Sequence, residues 1–223
     1  MAKSTAGKAP RPVARVGDTG LVERRRAQIV EAATRLVARQ GFAKTVVRDI
    51  AEEANISVGL VYEYVRSKED ILFLIFEHWA RLWCEGLDKA IGSGKGPLEQ
   101  LEAIATFLVK MADRHADVTD LFYREPGHLS DQGLAFSKAA ERSMIERVAG
   151  VVEEATAKGL LRPETDSLFL ATTVMTLSHA WVLKGYLLRR GRTPAGYAGS
   201  VVDTVVRGWA TPAGRRAWDR RRS

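Results

Sequence analysis

The sequence predicts an all-α chain of about nine helices, and three observations lead there. Apolar residues recur at three- and four-residue intervals through most of the 223 residues, the spacing that lines one face of an α-helix. No stretch of useful length alternates polar and apolar residues at period two, as a half-buried strand would. Glycine, proline and short hydroxyl or acidic residues fall between the periodic segments, where helices start and stop.

Each element follows from its residues. Residues 1–20 are rich in Ala, Lys, Pro, Arg and Gly and read as a disordered basic arm. Ile29, Ala33, Leu36 and Val37 form the first apolar stripe, and Gly41 ends that helix by tolerating a positive φ. Thr45 is expected to cap a second helix running to Ala54, with Val47, Ile50, Ala51 and Ala54 facing inward. Asn55-Ile56-Ser57 makes a tight turn, and Ser57 caps a third helix to Tyr64. Ser67-x-x-Asp70 resembles a capping box and opens a long fourth helix carrying Ile71, Leu72, Ile75, Phe76, Trp79, Leu82, Trp83 and Leu87. A loop from Gly92 to Pro97 precedes a fifth helix with Leu98, Leu101, Ile104, Ala105, Leu108, Val109 and Ala112 inward. A short sixth around Val118–Tyr123 stops at Pro126-Gly127, and a seventh runs from Gln132 to Lys158. An eighth is expected over Thr165–Arg190. Thr193 and Pro194 open a ninth that reaches Trp209, leaving 211–223 as a basic tail.

Composition narrows the function classes. Apolar residues make up 46% and charged residues 27%, which suits a folded chain. The formal charge is +7, but its placement says more than its size. Residues 1–50 carry +7, residues 215–223 carry +4, and the stretch between carries −4. A basic head on a slightly acidic body suggests contact with nucleic acid at the head; the alternative is two solvated ends. The single Cys84 excludes a disulfide framework within the chain and any multi-cysteine metal site; it falls on an aromatic-rich helix and reads as inert core. The four histidines, His78, His115, His128 and His179, show no metalloprotease spacing, and Gly92, Gly94 and Gly96 lack the strand and Lys-Ser/Thr of a phosphate loop. No enzyme, metal or resident cofactor is therefore expected. No apolar core follows the basic N-terminus, so no secretory signal is read there. Ser167–Leu183 is free of charge but interrupted by threonines, Ser178 and His179, and reads as a buried helix. A cytoplasmic setting is expected.

The informative stretch is residues 45–68, TVVRDIAEEANISVGLVYEYVRSK. Two short helices joined by a three- or four-residue turn make a helix-turn-helix. Ala51 is small where the helices cross, Ile56 plugs the turn, and Val61 faces the core of the unit. Gly59 leaves the front of the second helix bare, Tyr62 and Tyr64 offer hydroxyl-tipped rings, and Lys68 opens the next helix.

These residues resemble the DNA-binding domain of the TetR family of transcriptional repressors (TetR/AcrR-like). The match runs through Ile29, Ala32, Ala33, Leu36, Gly41-Phe42, Thr45, Ile50-Ala51, Ala54-Asn55-Ile56-Ser57, Gly59, Val61-Tyr62, Tyr64 and Ser67-Lys68-Glu69, within about 21–75. The resemblance implies a three-helix DNA-binding head over 21–68 and a helical ligand-binding and dimerisation body over 69–210. It implies that Ser57, Val58, Gly59, Leu60 and Tyr62 face the major groove of double-stranded operator DNA, with Thr45, Arg48, Tyr64 and Lys68 positioning the backbone. Many relatives carry a polar residue at 58 and Thr or Ser at 60, whereas Val58 and Leu60 stand here. The arm, with Arg11, Arg15 and Arg24-Arg25-Arg26, either solubilises or adds phosphate and minor-groove contacts.

For the body, the resemblance implies a homodimer through the last two helices, with stripes Val174, Leu177, Trp181 and Leu188, and Tyr197, Val201, Val205 and Trp209. It also implies a small-molecule effector among the fourth to eighth helices. Trp79, Trp83, Phe107, Met111, Phe122, Tyr123, Met144, His179 and Trp181 are the candidate lining. A lipophilic effector fits such a set, either an acyl-CoA or a fatty or aromatic acid derivative. Arg114, His115, Arg124, His128, Lys138, Arg142 and Lys184 are candidate cations at a pocket mouth. The alternative is a ligand-independent architectural DNA-binding or helical adaptor protein.

Overall fold

The periodic segments fold as helices in the computed structural model, which describes residues 19–222. The order is α1 (Thr19–Gln40), α2 (Val47–Glu53), α3 (Val58–Tyr64), α4 (Lys68–Ser93), α5 (Pro97–Arg114), α6 (Ala116–Arg124), a 3₁₀ turn (Pro126–His128), α7 (Asp131–Ala157), α8 (Ser167–Leu183), α9 (Gly185–Leu188), α10 (Pro194–Trp209) and α11 (Pro212–Arg222). Among the described residues, extended pairing is confined to one bridge between Leu161 and Ala210. The expected all-α class holds, with eleven α-helices among the described residues where about nine were expected. The expected disordered arm lies outside the described residues except at its end, where Thr19 and Gly20 already belong to α1.

Two compact units share the chain. One takes the N-terminal segment through Ala80 together with Asp120–Lys138; the other takes Arg81–Thr119 and the chain from Ala139 onward. Packing thus divides the chain elsewhere than the boundary at 68 read from the sequence. The front of α4 contributes Ile71, Leu72, Ile75 and Phe76 to the same core as Ile29, Leu36, Ile50 and Val61, and Leu121 joins it. In the second unit α5 buries Leu98, Leu101, Ile104, Leu108 and Val109. It packs on both α8 and α10, which also pack on each other.

Helix ends depart from expectation in three places. Thr45 does not cap α2. It is fully buried, and its hydroxyl donates to the Gly41 carbonyl at 2.9 Å, closing the turn after α1. Val46 takes the cap position and supplies no side-chain hydrogen bond. Ser57 does cap α3, its Oγ accepting the Leu60 N–H at 3.1 Å. At α4, Ser67 Oγ accepts the Asp70 N–H at 3.1 Å while the Asp70 carboxylate accepts the Arg66 N–H at 2.9 Å.

The expected eighth helix is broken. It ends at Leu183, and Lys184 leaves helical geometry. Arg189 folds back over the bare Gly185 to donate from Nε to the Trp181 carbonyl at 3.2 Å, so a basic side chain caps the last turn of α8. The stretch expected as a basic tail forms a helix, α11. Thr211 caps α11, its Oγ1 accepting the Gly214 N–H at 3.1 Å. Gly214 is required there, because a Cβ would stand 2.0 Å from the Leu160 carbonyl oxygen. Trp218 anchors the helix, buried with its indole N–H donating to Asp203 Oδ1 at 3.2 Å. Arg221 pairs with Glu99 and Glu102 on α5.

Candidate nucleic-acid interface

Helix α1 ends at Gly41, whose φ of 81° is the left-handed conformation that closes a helix. Phe42 then turns into the core, and three groups hold it. Its backbone N–H donates to Glu125 Oε1 at 3.3 Å. The His128 ring lies 5.1 Å from its ring, and Lys68 Nζ lies 4.3 Å above that ring while donating to the Ala43 carbonyl at 3.0 Å. Helix α2 is fastened to α1 by Gln28, whose Nε2 donates to the Ala54 carbonyl at 2.6 Å. Arg35 and Arg39 pair with Glu53 at 2.8 and 3.7 Å, and Arg35 beside it holds the Glu53 carboxyl below its ordinary pKa.

The turn between α2 and α3 depends on Asn55 at φ 52°; asparagine is among the few side chains that adopt that conformation readily. Val61 is fully buried beneath α3, which fixes the opposite face outward. That face presents Ser57, Val58 (38% exposed), Gly59 and Tyr62 (51% exposed), with Leu60 half-buried at its side. Arg48 is exposed on α2.

Three of the expected backbone contacts have other work. Thr45 is sealed inside the unit and offers a phosphate nothing. Lys68 is half-buried and tied to Phe42 and Ala43. Tyr64 is half-buried, with its ring against the unit's core. Residues the sequence reading did not place here are Glu125 and His128. Glu125 is a carboxylate only 8% exposed, which no local spacing announces.

The nine expected lining residues are divided between the two units. In the first unit, the Trp79 indole N–H donates to Thr34 Oγ1 at 3.4 Å, and the Phe122 ring lies 4.3 Å from Phe76. Tyr123 is half exposed, so it lines no enclosed pocket. In the second unit Trp83, Phe107 and His179 do meet, the Trp83 ring lying 6.5 Å from Phe107 and 5.1 Å from His179, edge to face in both pairs. Burial depresses the His179 pKa to about 4, so its imidazole is neutral near neutrality. Met144 is nearly buried and Met111 half-buried. Trp181 is core, its N–H donating to Asp113 Oδ1 at 2.8 Å. An open cleft of about 660 Å³ between α4, α5 and α11 is lined by Lys89, Thr106, Phe107 and Arg221 among others, and shares only Phe107 with the expected set. The sequence reading missed it because α11 forms one wall. Half-buried Cys84 has its thiol pKa pushed up by burial, which keeps it from acting as a thiolate.

The expected dimer stripes lie partly inside the second unit. Val174, Trp181, Tyr197, Val201 and Val205 are buried within the second unit, while Leu177, Leu188 and Trp209 are half-buried. Those stripes serve α5 and each other because a central helix needs apolar faces on both sides. Leu168, Phe169, Tyr186 and Leu187 are the large apolar residues left exposed on α8 and α9.

A head of three helices with α3 presented outward from a rigid core is the architecture of a helix-turn-helix DNA-binding protein. Residues 29–75 match the family described as bacterial regulatory proteins, tetR family. The HTH-type transcriptional regulator HbdR of Aromatoleum sp. (strain CIB) is 31% identical over 202 residues, covering 91% of this chain and 88% of that protein. The chain belongs to the tetR family of bacterial regulatory proteins, DNA-binding regulators of transcription and not enzymes. The HTH-type transcriptional repressor KstR2 of Mycobacterium tuberculosis is 26% identical over 149 residues, 66% of this chain and 74% of that one. The structure of AibR in complex with isovaleryl coenzyme A and operator DNA superposes with a TM-score of 0.67 at 21% identity, covering 82% of this chain and 96% of that chain. Among the described residues no helix is long and apolar enough to cross a membrane.

Proposed function

We propose that the chain is a cytoplasmic, homodimeric repressor that leaves its operator when a small lipophilic effector, an acyl-CoA or a fatty or aromatic acid derivative, binds its body. The observation that carries the DNA half is the outward face of α3, set by the burial of Val61 behind it. Ser57, Val58, Gly59, Leu60 and Tyr62 then address the groove, and Arg48 addresses the flanking phosphates. One recognition helix buries too little for tight binding, so two are needed one turn of duplex apart, about 34–36 Å, or a multiple of it. The outward apolar residues of α8 and α9, Leu168, Phe169, Tyr186 and Leu187, are the surface for the second copy.

The effector half is supported by the Trp83, Phe107 and His179 cluster, an apolar site with one neutral polar ring, and by the coenzyme A ester and operator DNA that accompany AibR in its structure. An effector that binds better to a dimer with wrongly spaced helices shifts the population off DNA. A clear switch needs a coupling of about 1–3 kcal/mol. Selecting duplexes from a random pool with the full-length protein tests the first half. Adding isovaleryl-CoA, stearoyl-CoA and the free acids to the selected complex tests the second. Release by any of them supports the effector class. Binding that persists with all of them, with no shift in melting temperature, favours the architectural alternative.

A further inference from the structure

The recognition face of α3 offers a base edge no bidentate hydrogen-bond partner, since its hydroxyls, on Ser57 and Tyr62, each donate a single bond. Val58 and Tyr62 are four residues apart on one side of the helix, with Gly59 beside them. The Ser57 oxygen accepts the Leu60 N–H, which holds its hydroxyl against the helix start and leaves it one proton to donate, and exposed Glu63 carries acceptors only. Guanine is read by bidentate Arg or Lys and adenine by bidentate Asn or Gln, and α3 presents none of these outward. What it does present is an exposed isopropyl group. The one apolar feature of the major groove is the C5-methyl of thymine. Gly59 sharpens the point, since a Cβ there would meet nothing in the chain nearer than Ser57 Oγ at 3.9 Å. The fold does not demand that glycine; its effect is to lower the helix surface beside Val58 so the isopropyl group can reach the groove floor.

We infer that Val58 is a specificity-determining residue that packs on the C5-methyl of a thymine in each half-site, so that α3 selects the operator by methyl pattern and not by bidentate hydrogen bonds. The inference rests on the operator-binding reading above. Duplexes enriched from a random pool by the full-length protein define the half-site. Each thymine is then replaced singly by deoxyuridine, which lacks only that methyl, and binding is followed by fluorescence anisotropy. At one thymine position the affinity falls about fourfold per substituted half-site, the worth of one buried methyl group. Val58→Ala binds the thymine operator more weakly by a similar factor, matches the wild type on the uracil operator, and no longer distinguishes the two. Val58→Thr, which keeps one methyl, falls between. Deoxyuridine tolerated at every thymine, or a penalty that persists in Val58→Ala, overturns the inference while leaving operator binding intact. If no duplex is enriched, the operator-binding reading fails and the inference falls with it.

Discussion

At the scale of single residues, two positions carry opposite lessons about stability. Gly59 lies inside α3, where glycine is less favourable than alanine by about 1 kcal/mol, and the space around it is open. Gly59→Ala is therefore expected to raise stability in urea unfolding by up to about 1 kcal/mol and to weaken operator binding. A variant that loses stability would show that the glycine serves the fold. His179 is a polar ring among apolar neighbours, with its pKa depressed from 6.5 to about 4 by burial. The unfolded chain binds a proton below its ordinary pKa that the folded chain refuses until about 4. Stability is therefore full near neutrality and declines as pH falls through that window, by about 3 kcal/mol at its lower end. Urea unfolding followed from neutral pH down to about 4 measures the slope. His179→Leu is expected to flatten it, and an equal slope in the variant would place the sensitivity elsewhere.

At the scale of elements, the turn after α1 is held from two directions. Lys68 reaches it from the start of α4, and Glu125 and His128 reach it from the junction of α6 with the 3₁₀ turn. A movement of α6 would therefore bear directly on the segment that launches the helix-turn-helix. A buried carboxylate accepting a backbone N–H is worth about 1.5–3 kcal/mol, so Glu125→Ala is expected to lower stability by about 2 kcal/mol. It should also speed hydrogen exchange at the Phe42 amide and weaken operator binding. Glu125→Gln keeps an acceptor and should retain most of that protection; exchange at Phe42 that is unchanged in both variants would deny the interaction any role. This clasp was not legible in the sequence, because Glu125 and Phe42 are 83 residues apart and neither carries a local signal. Where information is local, sequence and structure agree: the Ser57 and Thr193 caps and the Pro194 start follow from side-chain chemistry within one turn, whereas Pro97, expected in the loop, is the first residue of α5. Thr45 misled because a hydroxyl can close the preceding turn as readily as cap the next helix. Trp181 and Val201 misled because periodicity shows that a stripe is apolar, not which neighbour it faces.

At the scale of the whole molecule, the charge ledger changes meaning once pairs are known. The head's formal +7 overstates what a phosphate backbone would meet. Arg26 is paired with Glu77, and Arg35 and Arg39 with Glu53, while Arg48 and Lys44 are exposed. The tail's surplus is likewise reduced where Arg221 bridges Glu99 and Glu102. Lys3, Lys8, Arg11 and Arg15 in the N-terminal segment, with Arg24 and Arg25, then carry much of the head's positive charge. Each phosphate neutralised on duplex DNA contributes about 0.9 to the slope of log affinity against log salt. A chain lacking residues 1–18 is therefore expected to bind the selected operator more weakly at low salt. Its slope should be shallower by about 0.9 for each phosphate that the shortened chain leaves unneutralised, while its preference among operators stays the same. The preference is retained where, as proposed, base contacts come from α3 and phosphate contacts only position it. Anisotropy titrations over a salt series measure both quantities at once. An unchanged slope would assign the attraction to Arg48, Lys44 and α1 alone, and a changed preference would mean that the segment reads bases as well as phosphates.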